Sequence, residues 1–306
     1  MNEPNKIKRG VDLELQIESL AYGGMGLARK DDFVIFVKGG IPGQKVSARI
    51  YKKKKGYAEA RVQKILVESP HAVIAPCEHF GTCGGCKYQN LSYDEQLKEK
   101  SNQVEDAFRR LGGFLDFKLD DVIGADPIFN YRNKMEFTFS PHRWVLESEP
   151  EGVDKSFAVG LHIPGRYDKI LDIKDCHIQP TIGNKIMKVA REVCLAHPDL
   201  KSYDPKTHIG FLRFLMLRFG VNTNQIMVNL VTAYDDLNKL SPLIDALLEQ
   251  VPEITSMVNN VNTRKADVAF GEFETLVFGE PFIQETMGDL TFEISANSFF
   301  QTNTIQ

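Results

Sequence analysis

The chain has 306 residues, 42% of them apolar, with a mean hydropathy of −0.25, enough to bury a core in two or three domains. No run approaches the ~18 apolar residues of a membrane span. The opening Met1-Asn2-Glu3-Pro4-Asn5-Lys6 lacks an apolar signal segment, so a cytoplasmic protein with no membrane partner is expected. The formal net charge of −4 argues against nucleic acid only if read as one number. Residues 1–68 hold 14 Lys and Arg against 8 Asp and Glu, a net of +6 that leaves −10 for residues 69–306. A basic module segregated on an acidic protein is an electrostatic footprint for a phosphate backbone.

From Val11 to Glu18 apolar and polar residues alternate, as in a half-buried strand. A Gly-rich bend follows at Tyr22–Arg29, then strands at Phe33–Val37, Lys45–Ile50 and Tyr57–Val67. About five short strands with turn residues between them fit a small closed barrel of the OB type. Lys52, Lys53, Lys54 and Lys55 fall between the last two strands. They read either as a solvated hairpin tip or as a phosphate contact.

Cys77, Cys83 and Cys86 lie within ten residues, and Gly84-Gly85 lets the backbone fold tightly enough to aim the last two thiols at one point. Cys176 is the candidate fourth ligand. An all-thiolate set suits an iron–sulfur cluster or zinc. A disulfide is disfavoured without signs of secretion, and a zinc ribbon would need a second Cys-x-x-Cys. Beyond this loop, Ser92-x-x-Glu95 reads as a capping box opening a helix with Leu97, Val104, Phe108 and Leu111 on one face, stopped by Gly112-Gly113. Helices are also expected over 182–196 and 237–251. Strands are expected at 211–219, 225–232 and 256–262, with a hairpin over 281–294. Arg213 and Arg218 read equally well as facing RNA or solvent. Cys194 reads as a small buried hydrophobe. Strands and helices in this order indicate an α+β central domain.

Cys-x5-Cys-Gly-Gly-Cys-x2-Gln, continuing into Leu91-Ser92-Tyr93-Asp94-Glu95, resembles the cluster loop of the RNA (uracil-5-)-methyltransferase family. It is most similar to the branch that methylates 23S ribosomal RNA and carries a [4Fe–4S] cluster. Gly160-Leu161-His162 and Ile170–Cys176 resemble the segment holding that family's fourth cysteine. Gly23-x2-Gly26-x-Ala28-Arg29 with Pro42-Gly43-Gln44-Lys45 looks like a TRAM domain, an RNA-binding module. The resemblance covers essentially the whole chain, with one departure: Ala72 stands where the family's junction carries an Arg.

The resemblance implies a [4Fe–4S] cluster on Cys77, Cys83, Cys86 and Cys176, and S-adenosyl-L-methionine as cofactor. Asn130-Tyr131-Arg132-Asn133-Lys134 resembles a strand lining an RNA-facing groove, so Arg132 and Lys134 join Lys52–Lys55 as candidate RNA contacts. Asn297-Ser298-Phe299-Phe300-Gln301-Thr302-Asn303 resembles the family's F-F-Q-x-N motif. It implies a cofactor contact at Gln301 and a flipped uracil beside Phe299. The implied reaction adds a thiolate to uracil C6, methylates C5, removes the C5 proton with a base and expels the thiolate.

The expected organisation is therefore multi-domain. A TRAM OB-like barrel occupies 1–68, and an α+β iron–sulfur domain occupies 69–298, with helix 92–112 packing on the methyltransferase domain. Residues 299–306 open that Rossmann-like domain. It is expected C-terminally but reads as essentially absent, since no glycine-rich strand-to-helix turn occurs in 1–306. On this reading the chain is the N-terminal portion of a longer enzyme. Its nucleophilic Cys and general base lie beyond Gln306, so the chain alone is inactive. RNA, ribosomal by resemblance, is the expected partner of a monomer. The alternatives are a non-catalytic RNA-binding iron–sulfur protein and a transfer-RNA (uracil-5-)-methyltransferase. A radical methylthiotransferase would need Cys-x3-Cys-x2-Cys and a C-terminal TRAM.

Overall fold

Alternation of apolar and polar residues builds the first sheet. The computed structural model describes residues 7–146, 148–266 and 268–306, and it divides them into two compact units. The first unit contains β1 (Asp12–Gln16), β2 (Ser19–Leu20), β3 (Gly26–Lys30), β4 (Phe33–Lys38), β5 (Lys45–Lys53) and β6 (Tyr57–Val67). They hydrogen-bond in the order β1-β5-β6-β4-β3-β2, with β4 and β6 parallel and the other pairs antiparallel. Leu13, Leu15, Ile35, Val37, Val46 and Ile50 point inward from alternate positions and close one apolar core.

Helix α1 (Tyr93–Asp106) belongs to this unit and ends in a wider turn over Ala107–Leu111, where Gly113 takes φ +72°. Its buried Glu99 accepts the Leu20 N–H, and Gln103 donates to the Leu20 carbonyl. The expected capping box does not form. Ser92 makes no side-chain cap, and Glu95 turns to Lys98 at 3.1 Å and to His71 at 3.7 Å. Val104, Phe108 and Leu111 stay exposed.

The second unit is organised by a seven-stranded sheet in the order β13-β12-β11-β10-β7-β8-β9. Its members are β7 (Lys134–Ser140), β8 (Ala158–Ile163), β9 (Arg166–Asp172), β10 (Leu212–Phe219), β11 (Ile226–Thr232), β12 (Ser256–Val261) and β13 (Phe273–Gly279). Helices α2 (Thr181–Ala196) and α3 (Leu237–Gln250) pack on each other, and β14 (Phe282–Met287) pairs with β15 (Leu290–Ser295) as a hairpin.

The fold class needs correction here. Helix α3 carries the chain from β11 to a parallel β12, so the sheet is mixed rather than the segregated α+β arrangement expected. The physical reason lies in burial: every residue of β10, β11 and β12 is buried, as suits strands covered on both faces. Among the described residues no helix is long and apolar enough to cross a membrane.

Gly160 on β8 shows how tightly the edge of this sheet closes. A Cβ there would lie 1.9 Å from the Leu171 carbonyl oxygen, so only glycine fits without moving the backbone. Gly160→Ala is expected to cost about 3 kcal/mol of stability. Urea denaturation checks this, and an unchanged midpoint would contradict the contact.

Candidate nucleic-acid and cofactor site

Two motifs far apart in sequence meet in the second unit. The Asn133 backbone N–H donates to the Thr302 carbonyl at 2.9 Å. Its side-chain Nδ2 donates to the Gln301 carbonyl at 2.7 Å and to the Thr304 hydroxyl at 2.8 Å. Arg132 bridges to Asn303 in antiparallel fashion. Asn133 is 4% exposed, so these bonds form where water does not compete.

The same segment is held from its other side. Asn130 and Arg132 donate their N–H groups to the carbonyls of His177 and Ile178. These residues follow Cys176, whose N–H donates to Asn184 Oδ1 on α2.

Arg218 completes the frame. It is buried on β10 and donates to the carbonyls of Ala296 and Ser298. Burial pulls its pKa below the usual guanidinium range, with Glu136 opposing the shift. Arg213, also buried, donates to the carbonyls of Asn262, Arg264 and Ala266 and lies 4.3 Å from the Tyr203 ring centroid. Both arginines work inside the fold, away from bulk solvent, with Arg213 bordering a cavity of about 100 Å³. The sequence offers no direct signal for this, because Arg is ordinarily exposed.

Between the two motifs lies a groove of about 460 Å³ whose lining includes Arg132, Lys134, Ile178, Phe299, Gly84 and Gly85. Phe300 turns inward against Phe292, with ring centroids 5.7 Å apart, and joins the core of Met227, Val258, Ile283 and Ile294. Phe299 is left 86% exposed at the groove. A ring so placed can stack on a displaced base. Lys134 pairs with Glu136 at 2.6 Å and lies 6.0 Å from the Phe270 centroid, and Arg132 Nε donates to the Lys134 carbonyl. Gln301 is exposed and gives its backbone carbonyl to Asn133.

The remaining candidates are distributed more widely. Lys52 bonds Glu59, Lys53 lies 5.8 Å from the Phe33 centroid, and Lys54 and Lys55 sit at the exposed tip between β5 and β6. Among the described residues no cysteine is joined in a disulfide. Cys77 and Cys86 fall in the first unit, and Cys83 and Cys176 in the second. Burial raises the Cys77 pKa, and the neighbouring Cys86 adds to the shift. Gly85 N–H donates to Cys83 Sγ at 3.4 Å. Among the described residues no group of three or more His, Cys, Asp or Glu is gathered to hold a metal ion. The donor chemistry of the four thiols suits iron or zinc. Cys194 is buried on α2, and burial pushes its thiol up to about 12.

Comparison with known proteins follows the same two-part division. Residues 6–63 match the TRAM domain. The chain is 39% identical to an uncharacterized RNA methyltransferase of Chlorobaculum tepidum, covering 98% of this chain and 64% of that one. It is 34% identical to an uncharacterized RNA methyltransferase of Halalkalibacterium halodurans, over 95% of this chain and 61% of that one. Among solved structures, the tRNA (uracil-54, C5)-methyltransferase of Pyrococcus abyssi, in complex with S-adenosyl-L-homocysteine, matches with a TM-score of 0.68. The identity is 26%, over 95% of this chain and 62% of that one.

The chain thus carries a TRAM domain and has RNA methyltransferases among its homologues. It spans 61 to 64% of the length of the two curated relatives just described. The expectation of an essentially absent methyltransferase domain is overturned, because 95% of the chain is matched within a methyltransferase structure. The expectation that the chain alone is inactive loses its support with it.

The clamp at Asn133 makes a direct prediction. Asn133→Asp keeps the shape but removes the donors to Gln301 and Thr304, at an expected cost of about 2 kcal/mol. It should also speed hydrogen exchange across residues 299–304. Wild-type stability and exchange in the variant would refute the clamp.

Proposed function

We propose that this chain serves an S-adenosylmethionine-dependent methyltransferase acting on C5 of a uridine, and that its second unit carries RNA- and cofactor-facing residues. The observation that carries the reading is the clamped groove, where Arg132, Lys134 and the exposed Phe299 share one wall system. Arg132 and Lys134 supply charge for a phosphate, and Phe299 a face for the extruded base. The exposed Gln301 amide, on a backbone fixed by Asn133, is the residue offered to the cofactor. S-adenosylmethionine, when bound, supplies an electrophilic methyl group. The part played by these residues is to bind and orient the base while Asn133 and Arg218 keep their backbone in place.

Ribosomal RNA of the large subunit is the first substrate reading, by resemblance of the cysteine loop. Transfer RNA is the second, favoured by the Pyrococcus abyssi neighbour, whose printed substrate is tRNA. Mapping 5-methyluridine in RNA from cells lacking the gene separates them. Loss from 23S ribosomal RNA is expected. Loss from transfer RNA alone would establish the second reading, and no loss anywhere would overturn the proposal.

Cys77, Cys83, Cys86 and Cys176 are proposed as ligands of an iron–sulfur cluster on the chemistry of an all-thiolate set. Gly84 and Gly85, beside Cys83, and Ile178, two residues past Cys176, border the groove, so ordering these segments would shape its wall. Anaerobic purification should give a brown protein with about four irons per chain. Stoichiometric zinc without visible absorbance would refute the cluster.

The barrel is proposed as the nonspecific RNA contact. Replacing Lys52, Lys53, Lys54 and Lys55 with Ala should weaken binding of all RNA sequences alike. The slope of log affinity against log salt should fall by ~0.7 per lost phosphate contact on a single strand. An unchanged slope would mean a solvated hairpin tip.

A further inference from the structure

A second groove, of about 540 Å³, opens at the other end of the same sheet, where β10 begins and β11 and β12 end. Lys201, Lys239, Lys265 and His208 line it, and among its described lining residues there is no Asp or Glu. That is unexpected on a chain with 41 acidic against 37 basic residues, and all the more so where residues 69–306 carry the acidic excess. Two carboxylates close by in sequence are engaged elsewhere. Glu272 bonds Thr263 and Arg264, and Asp236 accepts the Lys239 backbone N–H at the start of α3. The described lining therefore presents positive charge, which favours an anion.

Its floor is aromatic. Tyr234 is 42% exposed, and Lys239 Nζ donates to its hydroxyl at 3.0 Å while lying 5.6 Å from the ring centroid. Phe211 packs beside Tyr234 with centroids 4.8 Å apart. Cations around an exposed, braced ring are what a single-stranded nucleic acid requires, phosphates meeting lysines and a base meeting the ring. The amide and hydroxyl at the rim are already used. Asn262 bonds Val268 and Arg264, and Thr263 bonds Glu272. Charge and stacking then dominate, and recognition is tolerant of base identity.

Position decides the partner. Lys134 pairs in register with Arg218 at the far end of β10, and Phe211 precedes the first residue of that strand. At ~3.3 Å per residue, the two grooves are separated by roughly 23 Å along β10. His162 and Tyr203 border the smaller cavity of about 100 Å³ between them, His162 shared with the first groove and Tyr203 with the second. We infer that the groove of Lys201, His208, Tyr234, Lys239 and Lys265 holds a single-stranded RNA segment flanking the one that enters the Phe299 groove. This inference rests on the RNA reading above, extending it to a second site.

The test measures binding of a 12-nucleotide oligouridine by fluorescence anisotropy over a range of salt. Lys201 and Lys265 are exposed, so Lys201→Gln/Lys265→Gln leaves the fold intact. It should weaken binding ~10-fold and lower the salt slope by ~1.4, for two phosphate contacts. Tyr234→Ala should weaken binding by ~5-fold or more through lost stacking, with Tyr234→Phe near wild type. Arg132→Gln/Lys134→Gln reports on the first groove. If only that variant weakens binding, the inference falls while the RNA reading stands. If neither lysine nor arginine variant has an effect, both fall. If Tyr234→Ala changes nothing, the groove takes a phosphate chain without bases, and its assignment to RNA is overturned.

Discussion

Asn133 is the point on which the second unit's site depends. Its amide side chain and its backbone N–H together satisfy two carbonyls and a hydroxyl of residues 301–304. Those groups sit on an irregular segment with no strand partner of its own apart from the Arg132–Asn303 bridge. An irregular backbone near a core is tolerated only where its polar groups find fixed partners. Thr304 passes the constraint on, donating to Glu285 at 3.2 Å, and Glu285 in turn accepts the N–H groups of Val221 and Asn222. The network links β14 and the β10–β11 turn to the loop that presents Phe299.

The neighbouring phenylalanines show how such a clamp becomes a binding surface. Phe300 is half-buried against the core formed by β11, β12 and the hairpin β14–β15, and Phe299 is left almost wholly exposed. Burying a phenylalanine side chain is worth about 1.5–3 kcal/mol. Phe300 therefore anchors the segment, and its anchoring holds Phe299 outward instead of letting it collapse. Arg218 prevents the alternative in which the segment slides, because its guanidinium already spans the carbonyls of Ala296 and Ser298.

What could be read from the sequence follows a physical divide. The barrel was legible because its strands bury one face, and that leaves a two-residue period in β1 and β5. The groove's residues were legible as motifs, Asn130–Lys134 and Asn297–Asn303, although Asn133 and the two arginines had no assigned role inside them or beside them. Strands β10 to β12 are buried on both faces, so periodicity says nothing about their neighbours, and the parallel β11–β12 pair went unread. The capping box at Ser92 failed for a related reason. Glu95 is buried and turns instead to Lys98 on the next turn of the helix and to His71, away from the Ser92 backbone.

Charge partition follows the same logic at larger scale. Arg213 and Arg218 donate to backbone carbonyls inside the sheet, three for Arg213 and two for Arg218. A buried cation solvated by carbonyls keeps its charge without drawing in an acidic side chain. The sheet can thus hold two fixed positive charges between grooves lined by Arg132 and Lys134 at one end and by Lys201, Lys239 and Lys265 at the other. Carbonyl partners fix both guanidinium groups inside the sheet, with the exposed lysines of the grooves beyond them. A chain of net negative charge can in this way carry lysine-lined grooves on a sheet whose buried arginines are held by backbone carbonyls.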